Sequence, residues 1–119
     1  MRKIESGERR VVNIYEAEFK PFYADKPNTG ESVLQLNTDH PPGIGFHVYR
    51  MAPGTVTIPH EHVGHEEFLV LEGELTDNDG FTYQKGDLVW LKEGTQHSSH
   101  TKDGALLAVY VPKLEEQLG

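Results

Sequence analysis

Cysteine is absent from the 119 residues, which rules out a disulfide framework and any thiolate site. Basic residues are scarce: 11 Lys and Arg stand against 19 Asp and Glu, for a formal net charge of -8. Apart from the pairs Arg2-Lys3 and Arg9-Arg10 they are scattered, so nucleic acid and anionic lipid head groups would be repelled. No apolar run approaches the roughly 20 residues that span a bilayer, and the N-terminus lacks the apolar segment of a signal peptide. The chain is therefore expected to be cytoplasmic, with neither nucleic acid nor membrane as a partner. What is present is ordinary for a folded protein: 36% hydrophobic and 25% charged residues, at a length that suits one domain over residues 1–119 with one core.

From residue 44 onward the pattern is β throughout. Strands are expected at 45–51, at 55–58, and at 67–72, the last bending at Gly73 into 74–76. Asp77-Asn-Asp-Gly80 reads as a hairpin turn returning through 81–83. Further strands are expected at 87–91, around His97 and at 105–111, which together form the main body over 44–111. Upstream, 32–36 reads as a strand and 39–43 as a turn whose prolines exclude helix. Only 114–118, after Pro112, suits a helical turn. Short strands with turn signals about every 8 to 12 residues predict an all-β sandwich or barrel. Residues 1–30 are polar, with a candidate strand at 10–13 and the aromatics Phe19, Phe22 and Tyr23, and are expected to wrap as an arm over the sheet.

Three runs, at 68–71, 88–91 and 105–111, are continuously apolar, whereas an antiparallel sheet with one wet face should alternate. Both faces must then be covered. The inner face can be a barrel interior; the outer face needs the arm, a partner subunit or both. A homodimer through that sheet is expected, since symmetric dimers are the commonest assembly.

The chemistry concentrates at 54–73, where His60, His62 and Glu66 fall within seven residues at the lip of an apolar run. Imidazole and carboxylate together suit divalent first-row metals. Side chains two apart on an extended segment share a face, so His60 and His62 point the same way. A short turn at Val63-Gly64 lets the chain re-enter a strand at Glu66. A fourth ligand is sought downstream, where a strand and turn over 86–96 lead to His97.

These two stretches resemble the paired motifs of the cupin family. The first, Gly-x5-His-x-His-x3-Glu-x6-Gly, is matched at Gly54, His60, His62, Glu66 and Gly73. The second, Gly-x5-Pro-x-Gly-x2-His-x3-Asn, is matched at Gly86, Gly94 and His97, with Lys92 in place of the proline and Thr101 in place of the asparagine. Both departures fall at turn and rim positions. The resemblance implies an antiparallel double-stranded β-helix, the jelly-roll barrel, with one divalent ion (Fe2+, Mn2+, Zn2+ or Ni2+) held by His60, His62, Glu66 and His97. Within the family, the chain looks most like the cupins related to acetylacetone-cleaving dioxygenases and to the metal domains of anti-sigma factors. That implies a small-molecule ligand at the metal, with oxidative cleavage of a small dicarbonyl or related oxygenated compound as the leading activity. A non-enzymatic metal-binding or ligand-sensing module and a metal-dependent isomerase are the alternatives, because one fold hosts many chemistries.

The neighbouring residues sort by strand phase. Alternation puts Glu66 inward with Phe68 and Val70, and Glu67 outward with Leu69 and Leu71. His65 is expected at the solvent or rim, His40 exposed, and His100 on the face opposite His97. His47 reads equally as a satisfied buried histidine or as a pocket acid/base. Glu72, Glu74, Asp77 and Asp79 read as a solvated edge and turn. Phe46, Val48, Met51, Phe68, Val70, Leu88 and Trp90 are candidates for an apolar pocket wall.

Overall fold

A computed structural model describes residues 1–118. In chain order its strands are β1 (Lys20–Pro21), β2 (Glu31–Leu34), β3 (Gly45–Met51), β4 (His60–Glu61), β5 (Glu66–Asp77), β6 (Thr82–Gln84), β7 (Leu88–Leu91), β8 (Gln96–His97), β9 (Ser99–His100), β10 (Ala105–Val111) and β11 (Glu116–Gln117). Every pairing among them is antiparallel. No helix occurs among the described residues.

The main sheet runs β1-β2-β3-β10-β5-β6, with β7 and β9 also paired to β5. Strand β10 lies between β3 and β5 and is buried along most of its length, which is why it is apolar on both faces rather than alternating. Its inward residues Leu107, Val109 and Val111 pack with Tyr49, Met51, Phe68 and Val70 into one core.

Strand β5 is the longest; β7 and β6 pair along it in succession, and at Thr76 the edge opposite β6 is taken by β9. It bends at Gly73, where φ is +76° and an added Cβ would lie 2.0 Å from the carbonyl oxygen of Gly104. Only glycine adopts that conformation so close to a neighbouring backbone. The bend, with a bulge between Leu106 and Leu107 opposite it, curls the sheet into a half-barrel. Both ends of β5, Glu66 and Asp77, thereby approach one end of the molecule.

A smaller sheet, ordered β11-β4-β8, closes that end. Here the chain differs from its sequence reading. Residues 114–118 form no helical turn: β11 pairs with the edge of β4 left free by β8, and the Leu118 amide donates to the Pro59 carbonyl at 2.9 Å. Two-residue β4 has backbone groups on both edges to satisfy, and the tail supplies one side. Residues 10–13 form no strand either; Arg10 reaches instead through Nη1 to the Leu36 carbonyl at 2.6 Å. The segment 55–58 is reduced to a single bridge between Val56 and His100, with Pro59 unable to donate beyond it. The arm folds back through its aromatics. Phe22 meets Tyr49 edge to face, and Phe19 lies under the Arg50 guanidinium at 3.8 Å, a cation–π contact.

Candidate metal centre

Strands β4 and β8 place His60 directly opposite His97. His62 follows two residues on and is pinned by backbone bonds to the 92–95 turn, its amide donating to Thr95 O at 2.9 Å and its carbonyl accepting from Gly94 N at 2.8 Å. The three rings form a near-equilateral triangle with centroids 5.1, 4.6 and 4.7 Å apart. One donor atom from each lies within 4.8 Å of the other two. His60 and His62 are buried and His97 is half-buried.

Hydrogen bonding fixes which ring nitrogen faces the centre. The Ile58 carbonyl, 2.8 Å from His60 Nδ1, can only accept, so Nδ1 carries the proton. Thr95 Oγ1 spends its own proton on the Lys92 carbonyl at 2.7 Å and therefore accepts from His62 Nδ1 at 2.9 Å. Asp77 Oδ1 stands 3.1 Å from His97 Nδ1, a close charge contact outside hydrogen-bond geometry. In neutral His60 and His62 this leaves Nε2 as a bare lone pair. His62 Nε2 is buried with no hydrogen-bond partner. Three imidazoles whose ligand atoms lie within 4.8 Å of one another, each with an oxygen behind its ring, fit a divalent metal ion.

Carboxylates complete the arrangement. Glu66 Oε1 lies 3.5 Å from His62 Nε2, while Glu67 points to the outer surface, 3.5 Å from His65, as strand phase predicted. Burial pushes the Glu66 carboxyl up to about 7, with Glu115 and Asp77 adding to the rise and His97 opposing it. Burial, helped by His97 and His60, brings the His62 imidazole down to about 4. Burial also opposes charge on His97, but Asp77 outweighs it and the pKa is raised. For Asp77 burial acts upward and is overcome by His97, Ser99 and Tyr83, leaving it lowered.

Asp77 corrects the sequence reading of a solvated turn residue. It is buried, accepting from Ser99 Oγ and Tyr83 Oη at 2.6 Å each. Its phase on β5 matches that of buried Leu75, a signal obscured by the turn that follows. A second residue went unnoticed: Glu115, on the tail, whose Oε2 is 3.3 Å from His60 Nε2. Nothing in its local sequence marks it. His47 is buried, held by the Gly45 carbonyl at 3.0 Å, and burial lowers its pKa. His40, His65 and His100 lie outside the triad, and His40 and His100 are exposed.

Behind the triad lies a cavity of about 350 Å³. Met51, Phe68, Leu107 and Val109 supply apolar wall, and Glu31 and Tyr49 a polar pair. Phe46, Leu88 and Trp90, taken from sequence as wall residues, are instead on the outside at 65%, 81% and 60% exposure. Val48 shares the outward phase of Phe46, because the inward set of β3 is His47, Tyr49 and Met51. Glu31 enters from β2: its Oε1 accepts from Tyr49 Oη at 2.6 Å, and its Oε2 is buried without a partner. Burial raises its pKa, against the pull of the Tyr49 hydrogen bond.

An antiparallel all-β sheet curled into a half-barrel, with a histidine triad at one end of an apolar cavity, defines a cupin with a site that can hold a metal. The chain belongs to the ChrR cupin-like domain family, whose pattern matches residues 8–115. Solved structures with the same fold include an acetylacetone dioxygenase from Acinetobacter johnsonii (TM-score 0.67, 14% identity, 98% of this chain and 78% of that one). An RmlC-like cupin protein from Ralstonia eutropha JMP134 aligns with TM-score 0.72 and 15% identity over 92% of this chain and 72% of the other. The polyketide cyclase RemF from Streptomyces resistomycificus aligns with TM-score 0.68 and 16% identity over 93% and 86%. At these identities the likeness is one of fold. Among curated proteins, small ribosomal subunit protein uS4 of Bordetella avium (strain 197N) is 22% identical over 107 residues, 87% of this chain. The chain spans 50% of the length of that relative.

Proposed function

We propose that this chain is a metal-dependent cupin enzyme of oxygenase type, acting on a small dicarbonyl or related oxygenated compound, with His60, His62, His97 and Glu66 holding one divalent ion. The observation that carries the reading is the buried cluster of His60, His62 and His97, two of whose rings, His60 and His97, line a largely apolar cavity. A divalent ion there supplies Lewis acidity and, as iron or manganese, oxygen chemistry. Three neutral imidazoles and one carboxylate leave the loaded site at a net charge of about +1, which favours an anionic oxygen ligand inside an otherwise acidic protein.

The chain's own residues supply the rest. Met51, Phe68, Leu107 and Val109 exclude water and select a small, partly apolar ligand. Glu31, kept toward its neutral form by burial and anchored by Tyr49, offers its unpartnered oxygen to a second polar group of that ligand. Asp77, 3.1 Å from His97 Nδ1, sets a negative charge behind that ring. Similarity of fold to an acetylacetone dioxygenase supports this substrate class.

The test is oxygen uptake by the iron-loaded protein against a panel of diketones, hydroxy acids and catechols, with His60→Ala as the control. Uptake with a diketone, lost in the variant, supports the enzyme. Metal retained with no uptake on any member of the panel overturns it and leaves a binding or sensing module.

A further inference from the structure

Two groups of potential ligand atoms share one residue, His62. One is His60, His62 and His97; the other is His62, Glu66 and Glu115, again with donor atoms within 4.8 Å of one another. Ligand atoms about 2.0–2.2 Å from one ion lie at most about 4.4 Å apart. The approaches His60 Nε2 to Glu115 Oε2 at 3.3 Å and His62 Nε2 to Glu66 Oε1 at 3.5 Å fall inside that limit.

Glu115 faces His60 across a gap that neither group can close in its neutral-imidazole state. With Nδ1–H given to the Ile58 carbonyl, His60 Nε2 and the Glu115 carboxylate are both acceptors, and two acceptors at 3.3 Å need a proton or a cation between them. The backbone delivers Glu115 there deliberately. After β10 the chain passes over the 63–65 turn so closely that a Cβ on Gly64 would stand 3.1 Å from Pro112 Cγ. Strand β11 then pairs with β4 in the register Gln117 to His60.

Resting on the metal-site reading above, we infer that Glu115 is a further carboxylate ligand to the same divalent ion, so that the C-terminal strand is part of the metal centre and is fastened over it when metal binds. With Glu115 in place the protein supplies five ligands and a loaded charge near zero. A bidentate oxygen ligand must then displace the Glu115 carboxylate, which makes the tail the closure of the pocket.

The experiment titrates zinc against a chelating dye above pH 7 with wild type, Glu115→Gln, Glu115→Ala and, as a control on the same strand, Glu116→Gln. Both Glu115 variants are expected to bind zinc about tenfold or more weakly, the size of loss seen when support of a metal site is removed, with the control unchanged. Zinc should also slow hydrogen exchange at the Leu118 amide in wild type but not in Glu115→Gln. Zinc affinity of Glu115→Gln equal to wild type overturns the inference and leaves Glu115 as a neighbour of His60 with no part in holding the ion. If His97→Ala loses zinc while Glu115→Gln keeps it, the metal site stands and the tail's part in it falls. If wild type binds no zinc, both fall.

Discussion

Asp77 Oδ1 stands 3.1 Å from His97 Nδ1, so the last residue of the strand that opens with Glu66 orients a histidine across the same site. The carboxylate is itself fixed by Tyr83 and Ser99. Asp77→Asn keeps the shape and removes the charge. It should cost about 10- to 100-fold in metal affinity, read by competition titration. Because the folded-state pKa of Asp77 is depressed, its stabilisation is present above the usual carboxylate range and is lost as pH falls through the lower folded value. The variant should therefore show a shallower loss of melting temperature in acid.

Metal affinity should fall with pH, since ions and protons compete for the same lone pairs. Glu66, pushed up to about 7, must release a proton to bind metal anywhere below that pH, and His97, with its raised pKa, adds to the slope. His62, down at about 4, is already free of its proton above pH 5 and contributes nothing there. The expected result is a drop of at least about tenfold per unit below neutrality, levelling above it. Glu66→Gln should bind more weakly and lose one proton from the slope. A slope identical to wild type would remove Glu66 from the site.

How much of this was legible in the sequence depended on how local the cause was. His60 and His62 share a face through simple alternation, and Glu66 was separated from Glu67 by strand phase alone. Most strand positions, β10 above all, followed from apolar runs and turn residues. Glu115 was not legible, since it reaches His60 through a pairing between residues more than fifty positions apart, and one of two adjacent glutamates in a polar tail carries no local mark. Asp77 failed for another reason. Its turn composition outweighed a phase that put it inward with Leu75. Leu88 and Trp90 were assigned inward because a continuous apolar run hides its own phase, and Phe46 because β3 carries large side chains on both faces; only neighbouring strands reveal which half meets the cavity.

Gly73 links the fold to the site. A Cβ there would meet the Gly104 carbonyl at 2.0 Å in a left-handed backbone conformation at φ +76°. Left-handed geometry costs an L-residue about 1–2 kcal/mol, and relieving the backbone clash would straighten the bend that brings Asp77 to His97. Gly73→Ala should lower stability by more than about 3 kcal/mol and weaken metal binding together with it, read by chemical unfolding and zinc titration. A stable variant with unchanged affinity would show that the bend does not set the site.

The outer face of the main sheet bears on assembly. Tyr110 is paired with Phe46 on one side and Glu67 on the other, and Glu67 with Trp90, so an aromatic-rich row crosses β3, β10, β5 and β7. Leu88 adjoins it at 81% exposure, while the arm's Phe19 reaches only as far as Arg50. We propose that a second copy of the chain covers this row, because a two-fold axis through it sets like apolar surface against itself. Sedimentation at micromolar concentration should give a dimer, and Trp90, the single tryptophan, should emit as a shielded indole. Leu88→Glu should shift the species toward monomer and the emission toward that of a hydrated indole while leaving zinc binding intact, since the residue faces away from the cavity. A wild-type monomer with hydrated tryptophan emission would refute the dimer without touching the metal site.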